Sequence, residues 1–70
     1  MTMEKIKALV KANEGVLHNF RFKGTWNQIE EFNGKITEMY PTIFIVVLDN
    51  DRIRSFSYSD VLLKNFEILD

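Results

Sequence analysis

At Gly15 the hydrophobic spacing of this chain changes period, and that switch constrains the fold more than any other feature. Before it, Ile6, Leu9 and Val10 recur at i, i+3 and i+4, with Asn13 at i+7. That is one face of a 3.6-residue period. Thr2 can cap the N-terminus, Glu4 favours the first turn, and Gly15 suits a left-handed residue ending the helix. The spacing therefore predicts a helix within residues 2–14, running from Met3 to Asn13. Lys5, Lys7 and Lys11 fall off its apolar stripe. After Gly15 the period is two: Val16, His18, Phe20 and Phe22 share one face, and Leu17, Asn19, Arg21 and Lys23 the other.

The remainder reads as strands. Gly24 turns the chain, and Thr25 to Tyr40 is expected to be a long, bent strand broken near Asn33-Gly34, a pair that favours positive φ. A helix over 26–32 competes, because Trp26, Ile29 and Phe32 are spaced by three. Pro41 makes Tyr40-Pro41-Thr42 a loop. Ile43 to Leu48 is apolar on both faces and should lie centrally or beneath the helix. Asp49-Asn50-Asp51 turns the chain into a strand from Arg52 to Tyr58, with Phe56 and Tyr58 on one face. Ser59 or Asp60 should then cap a single helical turn through Leu62. Lys64 to Leu69 closes the chain, with Phe66 and Ile68 in phase.

Seventy residues allow one domain, 1–70, and no cysteine is present to brace it. A domain of this size hides only roughly 60% of its unfolded surface. Its stability must come from the six Phe, two Tyr and one Trp, from a second chain, or from both. The expected fold is mainly β: a small SH3-like five-stranded antiparallel barrel over 16–69 with a short N-terminal α-helix, since closure removes the sheet edges. An open sheet packed under the helix is the alternative. The charged N-terminus carries no secretory pattern, and the run IFIVVL is far shorter than the ~20 residues of a membrane span, so a cytoplasmic location is expected.

Chemistry is sparse. LDNDRIRSFSYSD resembles a calcium loop until its fifth, sixth and twelfth positions are read as Ile53, Arg54 and Asp60, where an oxygen ligand, a glycine and a glutamate are required. His18, the one histidine, has no nucleophile or second ligand in any recognisable pattern and reads as a half-buried packing residue. No catalytic, metal or cofactor residue is assigned, and no enzyme is expected. Arg21, Lys23, Arg52 and Arg54 lie near Phe residues and Trp26, one route to single-stranded nucleic acid. With a net charge of −1 and Glu30, Glu31 and Glu38 among them, a solvated charged face is the plainer reading. Trp26 beside the Gly24-Thr25 turn is either a protein-binding patch or a plug in the barrel's end.

Read together, GKITEMYPTIFIVVLD and RSFSYSDVL resemble the Veg family of small proteins from Gram-positive bacteria. The resemblance rests on Gly34, Ile36, Glu38, Tyr40, Pro41, Phe44, Val46, Leu48 and Asp49, and resumes at Ser57, Tyr58, Asp60, Val61 and Leu62. It implies an SH3-like barrel in a non-enzymatic, cytoplasmic protein linked to control of biofilm-matrix genes. A protein partner such as a transcriptional regulator would follow. Independently of the resemblance, the basic residues near aromatics make nucleic acid the second candidate, and so small a core favours a homo-oligomer as a third arrangement. Relatives carry a basic loop between the first two strands. Here that segment reads KGTWNQIEEFNGK, which keeps Lys23 but is otherwise polar, aromatic and acidic.

Overall fold

The computed structural model describes residues 2–69, so the two end residues of the expected 1–70 domain lie outside it. Helix α1 spans Met3–Ala12, with the Thr2 hydroxyl accepting from the Lys5 amide at 3.3 Å. Ile6 and Val10 are buried, whereas Leu9, expected on the same stripe, is 39% exposed at its margin. Asn13 ends the helix by donating its side-chain amide to the Leu9 carbonyl at 2.8 Å. Gly15 has a φ of +80°, and its N–H donates across the molecule to the Ile36 carbonyl at 2.8 Å. The left-handed glycine thus swings the chain from the helix into the sheet.

Five antiparallel strands follow: β1 (His18–Lys23), β2 (Ile29–Met39), β3 (Ile43–Leu48), β4 (Ile53–Ser57) and β5 (Phe66–Ile68). Their order is β4-β3-β2-β1-β5. The barrel expected from the sequence is not closed, because no ladder joins the outer strands β4 and β5 among the described residues. The sheet instead curls until those edges meet through side chains. Phe56 of β4 and Phe66 of β5 bring their ring centroids to 4.7 Å, and Phe44 meets Phe66 edge-on at 5.2 Å. The alternative expectation, an open sheet under the helix, describes it better.

Asn33-Gly34 does not break β2. His18 and Gly34 are register partners on one side, and Gly34 and Leu48 on the other. Gly34 is required for contact rather than for φ: a Cβ there would lie 2.7 Å from the Val47 carbonyl oxygen. The irregularity falls between Ile36 and Glu38, where the β2–β3 register shifts. The competing helix over 26–32 is absent, since β2 has begun by Ile29 and only a 3-10 turn, Thr25–Asn27, precedes it. Helix α2 spans Tyr58–Leu62 and is capped by Ser57, not by Ser59 or Asp60. Asp60 is the reciprocal member of that capping box: its amide donates to Ser57 Oγ at 3.2 Å while its carboxylate accepts from the Ser57 amide at 3.4 Å.

Inside the curl, Ile6 and Val10 dock against Phe20, Phe44, Phe56, Tyr58 and Phe66, with Ile36 and Val46 filling between them. Each such side chain stabilises the fold by about 1.5–3 kcal/mol on burial. The helix covers this inner face only. Ile43 and the outer side of β3 are left without a helical layer. Among the described residues no helix is long and apolar enough to cross a membrane.

Candidate functional site

The β1–β2 connection builds the most exposed aromatic feature of the chain. Gly24 donates to the Gln28 carbonyl at 2.8 Å, and Gln28 donates to the Thr25 carbonyl at 3.3 Å, pinching four residues into a tight loop. Trp26 (φ 61°) and Asn27 (φ 58°) are both left-handed there. For an L-residue that conformation costs about 1–2 kcal/mol. Trp26 is 88% exposed, so its ring recovers little of that cost by packing. Of the two expectations for Trp26, the plug in the barrel's end is therefore excluded.

Gly24 and Thr25 also border a depression of about 550 Å³, whose floor and walls include Phe22, Lys23, Gln28, Glu30, Asp60 and Asn65. Its lining carries one cation, Lys23, and two carboxylates, Glu30 and Asp60. Beside it the Arg54 guanidinium bonds Glu30 at 2.8 Å. The same group lies 5.0 Å from the Phe56 ring centroid, 5.5 Å from Phe32 and 5.7 Å from Phe22. Phe32 and Phe56 are stacked, 8° from parallel at 5.7 Å. Arg54 thus roofs an aromatic trio where the curled sheet is unlaced.

The four candidate bases do not form one stripe. Arg54 points inward beside Phe56, whereas Arg21 lies on the outer face, 4.0 Å from Glu31 and in register with Glu67. Lys23 is exposed at the end of β1 and borders the depression. Arg52 is exposed at the β3–β4 turn, where its amide donates to Asn50 Oδ1 at 3.1 Å. Of the four, Lys23 borders the depression beside Trp26's loop, and Arg54 reaches that depression's Glu30. The Arg54–Glu30 contact was missed in the sequence because it joins residues 24 apart, and no local pattern encodes it.

The turn at Asp49-Asn50-Asp51 is architectural. Asp51 is left-handed and donates its amide to the Leu48 carbonyl at 2.9 Å. Among the described residues no cluster of three or more His, Asp or Glu side chains has the geometry to hold a metal. His18 is half-buried and meets Phe20 edge-on at 5.9 Å. Two phenols are perturbed. The Tyr40 hydroxyl donates to Glu38, and that bond and charge raise its pKa. Burial raises Tyr58, helped by the charge of Glu14.

No protein with a curated description matches this chain. A family model described as "Biofilm formation stimulator VEG" does match it, over residues 1–69. That span takes in α1, every strand, the Trp26 loop and the depression beside it, so the correspondence is not a local motif. The chain belongs to the Veg family.

Proposed function

We propose that this chain is a non-enzymatic regulatory module that works in the cytoplasm by binding another protein, with Trp26 as its anchor. The observation that carries the reading is the 88% exposure of Trp26 in a left-handed loop. A bulky ring held outward against its backbone preference is a strained feature of the kind that concentrates at functional sites. Tryptophan is also among the residues that dominate binding energy at interfaces. The family name adds a biofilm-related regulatory role, for which a transcriptional regulator is the natural class of partner. The strand order and the helical turn before β5 support reading the curled sheet as SH3-like, a frame that presents loops rigidly.

Nucleic acid is the weaker alternative. Arg21 and Arg54 each face a glutamate, so half of the candidate cations are already partnered. Capture from native cells with the full chain tests the proposal. Trp26→Ala should keep its circular dichroism spectrum and lose the captured protein by ~30-fold, the equivalent of a 2 kcal/mol hot spot. Unfolding of the variant, or capture equal to the parent, refutes it. Binding to single-stranded DNA or RNA that falls steeply with salt and vanishes in Lys23→Ala and Arg52→Ala would establish the alternative instead.

A further inference from the structure

The outer face of the sheet carries an apolar patch that the helix leaves bare. Strand β3 alternates, and Phe44 and Val46 are fully buried on the inner side. On its outer side Ile43 is 37% exposed, and Ile45 and Val47 are only half-buried. Val47 is the centre of an outward row. Lys35 is its register partner on β2, and Ile53, 70% exposed, is its partner on β4. Leu17, 57% exposed, lines a depression of about 320 Å³ with Lys35 and Val47. A strand apolar on both faces is ordinarily covered on both, and apolar surface gathered in one place marks an interaction site.

The same depression holds the clue to the occupant. Asp49 and Asp51, on the β3–β4 turn, line it together with Lys35. Among the described residues these three groups make no ion pair with one another or with any other side chain. The patch therefore presents an apolar centre bordered by one cation and two carboxylates. A surface that contains its own charge complement is what a two-fold interface requires, since each copy then answers the other. A standard interface takes about 800 Å² from each partner, about a sixth of the 4793 Å² that the chain exposes.

We propose that the outer face of β3 is an isologous interface between two copies of this chain, with Lys35 of each meeting Asp49 and Asp51 of the other around Val47, Ile53 and Leu17. The proposal is independent of Trp26, which is not part of this patch.

Analytical ultracentrifugation of the full chain over a concentration series tests it. The parent should pass from 8.3 kDa to twice that mass. Ile53→Asp should raise the dissociation constant by at least ~30-fold, and Leu17→Asp gives a second disruption at an exposed position. Lys35→Asp should weaken the dimer about tenfold at low salt, and combining it with Asp49→Lys and Asp51→Lys should restore the affinity. Dichroism spectra confirm that each variant is folded. A parent that stays monomeric throughout overturns the proposal, even if a different protein covers the face. So does a dimer indifferent to Ile53→Asp, or a charge swap that recovers nothing.

Discussion

From β2 through β3 to β4 the sheet is laced by backbone ladders, from Gly34 and Leu48 at one end to Ile43 and Ser57 at the other. Between β4 and β5, its two outer strands, contact passes instead through the rings of Phe56 and Phe66. Phe44 of β3 is packed against both, and Arg54 of β4 reaches Glu30 of β2 beside them. The two regions fail in different ways. A ladder fixes the distance between backbones and tolerates no intruding atom. A seam of rings has no fixed spacing, but it depends on each ring's buried area and loses stability in proportion to the volume removed.

The largest effect should come from the seam. Phe56 is buried and touches the rings of Phe22, Phe32, Phe44 and Phe66. Phe56→Ala should cost about 4 kcal/mol, a large part of the stability of a chain this small. A urea-melt loss below about 2 kcal/mol would show that the edges are held by something other than rings. Next comes the laced side: Gly34→Ala forces a methyl to within 2.7 Å of the Val47 carbonyl and should cost about 2 kcal/mol by overpacking. Hydrogen exchange should quicken in β2 and β3, and a neutral result would mean that the ladder yields more easily than its geometry suggests. The smallest effect divides the roof of the seam. Arg54→Ala should cost about 1 kcal/mol, since it removes ring contacts as well as the ion pair. Glu30→Gln, at a carboxylate 54% exposed, should cost under about 0.5 kcal/mol. Equal losses in the two variants would assign the roof to the ion pair alone.

How much of this was legible depended on whether the cause was local. The helix, its Thr2 cap and the alternation of His18, Phe20 and Phe22 follow from spacing, and the structure bears them out. Gly34 was misread because glycine serves two purposes, positive φ and close approach, and only the β3 neighbour decides between them. The α2 cap was misplaced by two or three residues although Ser57-Tyr58-Ser59-Asp60 carries a serine and an acid at capping-box spacing. Closure was misjudged for a subtler reason. Phe56 and Phe66 announce that they are buried, but burial does not say whether backbones come close enough to pair. The same limit hid the site: Trp26 was visible as a residue, yet nothing in GTWNQ predicts two successive left-handed positions. The run IFIVVL was expected centrally or beneath the helix, and it does lie between β2 and β4, although its outer face is only partly screened.

The Ser57–Asp60 box has a consequence for how copies of this chain can stack. Leu48 donates to the Arg52 carbonyl and Tyr58 to the Thr42 carbonyl, so by antiparallel alternation Arg52, Arg54, Phe56 and Tyr58 turn their backbone groups toward β3. Ile53, Ser55 and Ser57 face the outer edge, and the Ser57 amide is taken by Asp60. A strand arriving at that edge finds only Ile53 and Ser55 as complete rungs before the chain bends away into α2. Two rungs are a poor template for fibril growth. The helix cap thereby acts as a stop against edge-to-edge aggregation in a protein whose outer sheet face is otherwise rich in isoleucine and valine.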